Sequence, residues 1–377
     1  MTIVVGRLLP IAFLGFAALG MPRAAEGVAW PSMANDLGQS LGALGWLLAA
    51  TIGGYFVASI ANGEVTRRLG TGRALVTSGI TATVSLAGYA VAPSWPVLLA
   101  VGVMLGLAGG MIDAAMNAHV ALHHDARAMG LLHASFGLGA TISPLIMTRL
   151  ITVGPSGWRW GFGILAAIQL AVTATFWRTR KQWTAPAPVV SPSHRSVKGL
   201  APILGAFLLV GGIEAGAGAW AFTYLTEDLT MSDGSSGLLV GGFFACFTLG
   251  RVMVGIGGNR LSARTYLHIG TLGTLAGIGL LWWSPAPWVA GAGLLGAGLG
   301  ISPLFPILMV ITPALVGPER AHDAVGYELG AAVIGAAAIP FVIGLSVDGA
   351  GAGAIPLVLS VAALVQVIAV SGRRLGV

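Results

Sequence analysis

Twelve runs of mostly apolar residues, each near the length of a membrane-crossing helix, recur along the chain with short polar connections between them. Roughly 20 such residues carry a helix across the hydrocarbon core of a bilayer. Lipid offers the backbone no hydrogen-bond partner, so unbroken apolar runs of this length are read as helices. They fall at about 8–33, 41–62, 74–92, 96–120, 128–152, 159–178, 199–225, 235–258, 263–284, 286–313, 323–347 and 352–371. Only 8% of residues are charged and 56% are hydrophobic, whereas about a quarter of a soluble domain is charged. An all-α membrane protein is expected; a cytosolic enzyme, a nucleic-acid binder and a secreted disulfide scaffold are excluded. The single cysteine, Cys246, cannot form an intramolecular disulfide. The first run has the charge and small residues of a secretory leader, but it carries Arg23 and Glu26 at membrane depth and eleven runs follow, so it is read as a retained helix.

The net charge of +6 is a topology signal once the basic residues are placed, because cytoplasmic connections are enriched in Lys and Arg. With the N-terminus inside, 16 of the 19 basic residues fall on the cytoplasmic side or at its helix ends. These are Arg7, Arg67, Arg68, Arg73, Arg127, Arg178, Arg180, Lys181, Arg195, Lys198, Arg251, Arg260, Arg264, Arg320, Arg373 and Arg374. Arg149 and Arg159 fall outside, while Asp36, Glu227, Asp228, Asp233 and Asp348 lie at outer connections. Both termini are then cytoplasmic, in a multi-pass protein of the cell (inner) membrane.

The longest polar stretch, Arg178 to Lys198, holds Pro186, Pro188 and Pro192 and reads as a linker. It divides the chain into a six-helix bundle at 1–178, a cytoplasmic linker at 179–198 and a second six-helix bundle at 199–377. The halves repeat: Trp30 matches Trp220, Arg68-Leu69 matches Arg260-Leu261, Gly106 and Gly110 match Gly296 and Gly300, and Gly130, Gly139 and Pro144 match Gly326, Gly335 and Pro340. Their offsets stay within 190 to 196 residues. Two parallel six-helix halves with both ends inside resemble the major facilitator transporters. That resemblance implies two pseudo-symmetric bundles that rock about a midplane site.

The segment Gly63-Glu-Val-Thr-Arg-Arg-Leu-Gly-Thr-Gly-Arg73 stands where that superfamily carries its signature loop between helices 2 and 3. Gly63, Arg68, Gly70 and Arg73 fit, and the resemblance implies a gating role for Arg68 and Arg73. Arg67 stands where the family has an acid that latches the outward-open state, so the likeness does not extend to that latch. A narrower likeness lies in Leu131-Leu-His-Ala-Ser-Phe-Gly-Leu-Gly-Ala140, Gly300-Ile-Ser-Pro-Leu-Phe-Pro306 and Gly326-Tyr-Glu-Leu-Gly330. These resemble the fucose, galactose and glucose proton symporters and their bacterial relatives, which carry acids in helices 1 and 4. The resemblance places Glu26 and Asp113 at those positions.

An ionisable side chain at bilayer depth costs about 2.5–3.5 kcal/mol on insertion scales. Five lie inside the runs: Arg23, Glu26, Asp113, Glu214 and Glu328. Arg23 and Glu26 are three apart and share a helix face; they form either a structural ion pair or an anion-binding arginine beside a proton-exchanging acid. Trp30, one turn on, is either a wall for the solute or an interfacial anchor. Asp113 has no cation on its own helix and has Asn117 at i+4; an acid so placed favours its protonated form, making it the expected main proton site. The alternatives are a neutral, hydrogen-bonded Asp113 that packs span 4 against span 1 or 2, and a pairing of Asp113 with Arg23. Glu214 lies between Gly211-Gly212 and Gly216, where the backbone can approach a neighbouring helix or unwind, with Trp220 beyond it; both are assigned to solute binding with Arg23, Trp30 and Asn117. Glu328, inside of Arg320, is assigned to a gate or a helix end. His133 reads as an interface histidine. The glycine faces Gly102/Gly106/Gly110 and Ala292/Gly296/Gly300 favour close helix packing, and Pro303 and Pro306 are expected to kink their run.

There is no Walker A loop, no His/Cys metal spacing and no nucleophile elbow, so no cofactor, metal or enzymatic activity is expected. The sequence reading is a proton-coupled secondary transporter for a small polar solute, sugar-like or an organic anion, working as a monomer among lipid. Symport is favoured, since the Gly-Pro pair common in span 5 of exporters is missing. A proton-driven efflux antiporter and a non-transporting receptor on the same fold are the alternatives.

Overall fold

A computed structural model describes residues 2–154, 156–183, 200–257 and 261–371, and these form helices joined by short connections. Arg195, Lys198, Arg260, Arg373, Arg374 and most of the expected linker lie outside the described residues, as do the side chains of Arg7 and Arg320. Ten helical segments are long and apolar enough to cross a membrane. A shorter apolar helix, and one whose average is lowered by Tyr266, His268 and a terminal tryptophan pair, bring the helical segments to twelve among the described residues. Large apolar side chains such as Val57, Ile60, Leu170 and Ile368 face outward, as expected of a surface whose solvent is lipid. The chain divides into two compact units, Met1–Val190 and Ser191–Val377.

In the first unit α1 (Thr2–Asp36) packs on α5 (Ala126–Ile151), α2 (Leu44–Leu69) on α4 (Trp95–His123), and α3 (Thr71–Val91) on α6 (Gly157–Thr179). The crossings are made where a side chain is missing. A Cβ on Gly20 would lie 2.2 Å from the carbonyl oxygen of Phe136, and one on Gly139 would lie 1.9 Å from that of Ala17. On α4, the same addition to Gly106 and Gly110 would meet the carbonyls of Thr51 and Tyr55 at 1.8 and 2.3 Å. His133 lies edge-on to Phe16 across the α1–α5 interface, the role its sequence context suggested. Arg159, one exception to the charge rule, sits 4.0 Å from Asp36, whose carboxylate also accepts the Trp158 indole N–H at 2.8 Å.

The signature segment is mostly helix. Gly63 to Leu69 are the last turns of α2, and Gly70 turns the chain into α3 with φ at +79°, a conformation glycine adopts without steric cost.

In the second unit α7 (Ala201–Thr223) packs on α12 (Pro318–Ala350), α10 (Pro287–Ile301) packs on both α8 (Asp233–Gly257) and α9 (Ala263–Trp283), and α13 (Ala354–Ser371) on α7 and α9. The α7–α12 crossing repeats α1–α5: a Cβ on Gly211 would lie 2.4 Å from the Ala332 carbonyl, and one on Gly335 would lie 1.8 Å from that of Leu208. The repeat stops at the next pair. Gly106 and Gly110 face α2, whereas their sequence matches Gly296 and Gly300 face α9, and the glycines of α10 that meet α8 are Gly291 and Gly298. The tenth run breaks after Ile301 and resumes as α11 (Leu304–Val316). Pro303 and Pro306 lack the N–H that would continue the ladder, and the Ser302 hydroxyl instead donates to the Leu299 carbonyl at 2.7 Å.

Thermal unfolding in detergent tests this packing. Gly139→Ala and Gly335→Ala are expected to destabilise by about 1–3 kcal/mol each through overpacking. Gly163→Ala and Gly205→Ala, where a Cβ meets nothing within 4 Å, should stay within about 1 kcal/mol of the parent.

Candidate functional site

The close crossings set the positions of the membrane-depth charges. Gly20, Gly110 and Gly211 each touch a neighbouring backbone, and Arg23, Asp113 and Glu214 follow them by three residues. One helical turn past a backbone contact, a side chain stands at the edge of the seam, within reach of the partner helix.

Asp113 on α4 is half-buried and held from two sides. The Tyr55 hydroxyl of α2 donates to its Oδ2 at 2.7 Å, and Asn117 Nδ2 donates to its Oδ1 at 3.1 Å. The contact between Gly110 and the Tyr55 backbone is what brings the phenol to the acid. Glu26 on α1 is 2% exposed and accepts from the Tyr89 hydroxyl of α3 at 2.8 Å. Each of the two membrane-depth acids of this unit is thus hydrogen-bonded by a tyrosine of another helix. Tyr55 lies 58 residues from Asp113 and Tyr89 lies 63 from Glu26; sequence spacing carried no sign of either.

Arg23 is exposed, and the intrahelical pair with Glu26 is not formed: among the described residues no carboxylate lies within 4.0 Å of it. Glu26 turns instead to Tyr89. The direct pairing of Arg23 with Asp113 is likewise absent, although the guanidinium is near enough for its charge to act on Glu26, Asp113 and Tyr55 together.

In the second unit Glu214 pairs with Arg251 of α8 at 3.6 Å, and the Arg251 guanidinium lies 4.1 Å over the Phe247 ring. Arg251, expected among the cytoplasmic helix ends, instead pairs with the acid of α7. The helix around Glu214 is not unwound. Gly211 and Gly212 serve the approach of α12, and the irregular turn comes later, a π-turn at Tyr224–Asp228.

Trp30 and Trp220 are fully enclosed. Trp30 donates its indole N–H to the Leu41 carbonyl at 2.6 Å, and Trp220 donates to that of Pro340 at 3.1 Å. Enclosed rings with satisfied N–H groups have no face to offer a solute, so both act here as packing ties in place of the solute wall expected. Glu328 is fully buried on α12 beside Thr312 of α11. Arg67 and Arg68 both bond to Glu64 one turn earlier, on an exposed surface. Arg73 lines a cavity of about 360 Å3 with Arg180, Lys181 and Trp183. Among the described residues no group of three or more His, Cys, Asp or Glu is placed to hold a metal ion.

A model of the Major Facilitator Superfamily matches residues 12–340. The chain belongs to that superfamily. It is a multi-pass membrane transporter and not an enzyme. Among curated proteins it is similar to the enterobactin exporter EntS of Shigella boydii and of Escherichia coli, each 27% identical over 361 residues, covering 86% of this chain and 82% of the relative. Among solved structures it superposes on the nucleoside transporter NupG with a TM-score of 0.79 at 13% identity, covering 98% and 99% of the two chains. A D-xylose-proton symporter gives 0.77 at 14% identity, with 96% of each chain covered. At these identities the structural likeness shows the fold.

The tyrosine bonds have a measurable consequence. Tyr89→Phe leaves a buried carboxyl without its donor and should destabilise by about 1–3 kcal/mol. Glu26→Gln, whose amide oxygen still accepts from Tyr89, should cost less, as read by thermal unfolding of the single and double variants.

Proposed function

We propose that the chain is a proton-coupled secondary transporter moving a small polar solute, sugar-like or an organic anion, across the inner membrane by alternating access, with twelve spans, cytoplasmic termini and a single chain as the working unit. The supporting observation is the arrangement in the first unit: two membrane-depth acids, each bound to a tyrosine and neither, among the described residues, within 4.0 Å of a cation, beside an exposed arginine. Membrane-depth charges are retained for pathways and proton relays.

In this reading Asp113 is the principal proton site, because it is half-open while Glu26 is sealed behind Tyr89. A proton on Asp113 cancels the negative charge that acts on Arg23, so protonation changes how strongly Arg23 attracts an anionic solute. That is a physical link between the two cargoes. Asn117 orients Asp113, Glu214 with Arg251 supplies a second polar contact for the solute, and Arg68, Arg73 and Glu328 belong to the gates. Symport is the favoured direction. Proton-driven export is the second reading, supported by the likeness to enterobactin exporters over most of the chain.

Liposomes holding purified protein and a pH dye in the lumen separate these readings. Adding the transported solute outside should acidify the lumen for symport and alkalinise it for antiport. Asp113→Asn should abolish either change while solute exchange persists; an Asn variant that still concentrates solute on a pH gradient removes Asp113 from the proton path. In a thermal-shift screen, organic anions at about 100 times their Kd should stabilise by roughly 2.7 kcal/mol, and Arg23→Ala should lose that gain. Stabilisation by lipophilic cations instead would favour export.

A further inference from the structure

Glu328 sits in α12 with no exposed surface, and its surroundings carry one hydrogen too few for a carboxylate. Its Oε1 lies 2.6 Å from Thr312 Oγ1, and the same hydroxyl oxygen lies 3.0 Å from the carbonyl oxygen of Leu308. Its Oε2 is buried with no hydrogen-bond partner among the described residues. Among the described residues no cation comes within 4.0 Å of it. Of the helices packed against α12, α11 and α13 contain no titratable residue, and α7 contains only Glu214, which is engaged by Arg251. On α12 itself Tyr327 is exposed and Asp348 lies 20 residues on; the side chains of Glu319, Arg320, His322 and Asp323 lie outside those described.

A threonine hydroxyl has one hydrogen to donate and can also accept. With an ionised Glu328, both contacts of Thr312 are acceptors competing for that hydrogen, and Oε2 is a bare anionic oxygen in an apolar seam, a costly arrangement. With a proton on Oε1 the count closes: Glu328 donates to Thr312, and Thr312 donates to Leu308. Only the weaker carbonyl acceptor, Oε2, is then without a donor.

We propose that Glu328 is a proton-binding residue of the second unit, separate from Asp113 and Glu26, and that its proton is the tie between α12 and α11 through Thr312. Loss of the proton breaks the tie and leaves a charge that only a wetted seam accommodates. Its proton binding stands on the hydrogen count alone; its use as a proton-released latch in the transport cycle rests on the proton-coupled reading above.

Infrared spectroscopy of the purified protein tests it. In the Glu26→Gln/Asp113→Asn background at neutral pH, a C=O stretch of a protonated carboxyl should persist, shift in heavy water, and vanish on adding Glu328→Gln. Thr312→Val should move the band to higher frequency by removing its hydrogen bond, which serves as the check if the Gln variant does not fold. A background spectrum without such a band, or a band unchanged by Glu328→Gln and by Thr312→Val, overturns the proposal. A Glu328-dependent band in a protein whose liposomes show no solute-driven pH change would keep the proton site and discard the coupled-transport reading.

Discussion

Helices in this protein are held together where their backbones touch. Apolar side chains gain little by leaving lipid for one another, so association depends on van der Waals contact and close approach. At Gly20 and Gly139 in one unit, and at Gly211 and Gly335 in the other, any side chain would displace a carbonyl of the facing helix. Arg23, Asp113 and Glu214 each stand one turn beyond such a glycine, so the residues that fix the packing distance also fix where charge enters the seams.

Four acids at depth meet the same constraint in four ways. Glu26 is sealed behind one tyrosine; Asp113 is shared between a tyrosine and an asparagine and stays half-open; Glu214 takes a guanidinium; Glu328 relies on a threonine. The differences matter because a hydrogen-bonded acid without a cation is free to exchange a proton, while an ion pair is bound to its charge. In the proposed cycle the first unit sets two exchangeable acids beside Arg23, while the second holds the Glu214–Arg251 pair and the proton site proposed at Glu328.

The site was legible in sequence where its contacts are local. The i+4 spacing makes Asp113 and Asn117 neighbours, and they are hydrogen-bonded; the prolines of the tenth run predict a kink, and the helix is interrupted there. Tyr55, Tyr89, Arg251 and Thr312 were not found, because each meets its acid from another helix and nothing in local spacing marks such a partner. Arg251 lies inside the apolar run 235–258, the one local sign that it stands at depth. Trp30 and Trp220 differ for the opposite reason: their nearness to Glu26 and Glu214 along the helix suggests a solute role, whereas rings of that size are equally good fillers of a helical bundle, and both give their N–H to a nearby carbonyl.

The amino-acid sequence by itself determined that this chain is a helical membrane protein built of two related halves, since run length, charge placement and repeated glycines are properties of the chain read one segment at a time. Tertiary structure decided which face each helix presents, and so which acid meets a hydroxyl and which meets a cation. It also separated the halves: Gly106 and Gly110 close on α2, while Gly296 and Gly300 turn to α9. The reason is geometric, because a small residue permits close approach to any neighbour and only the packing of the whole unit selects which one arrives.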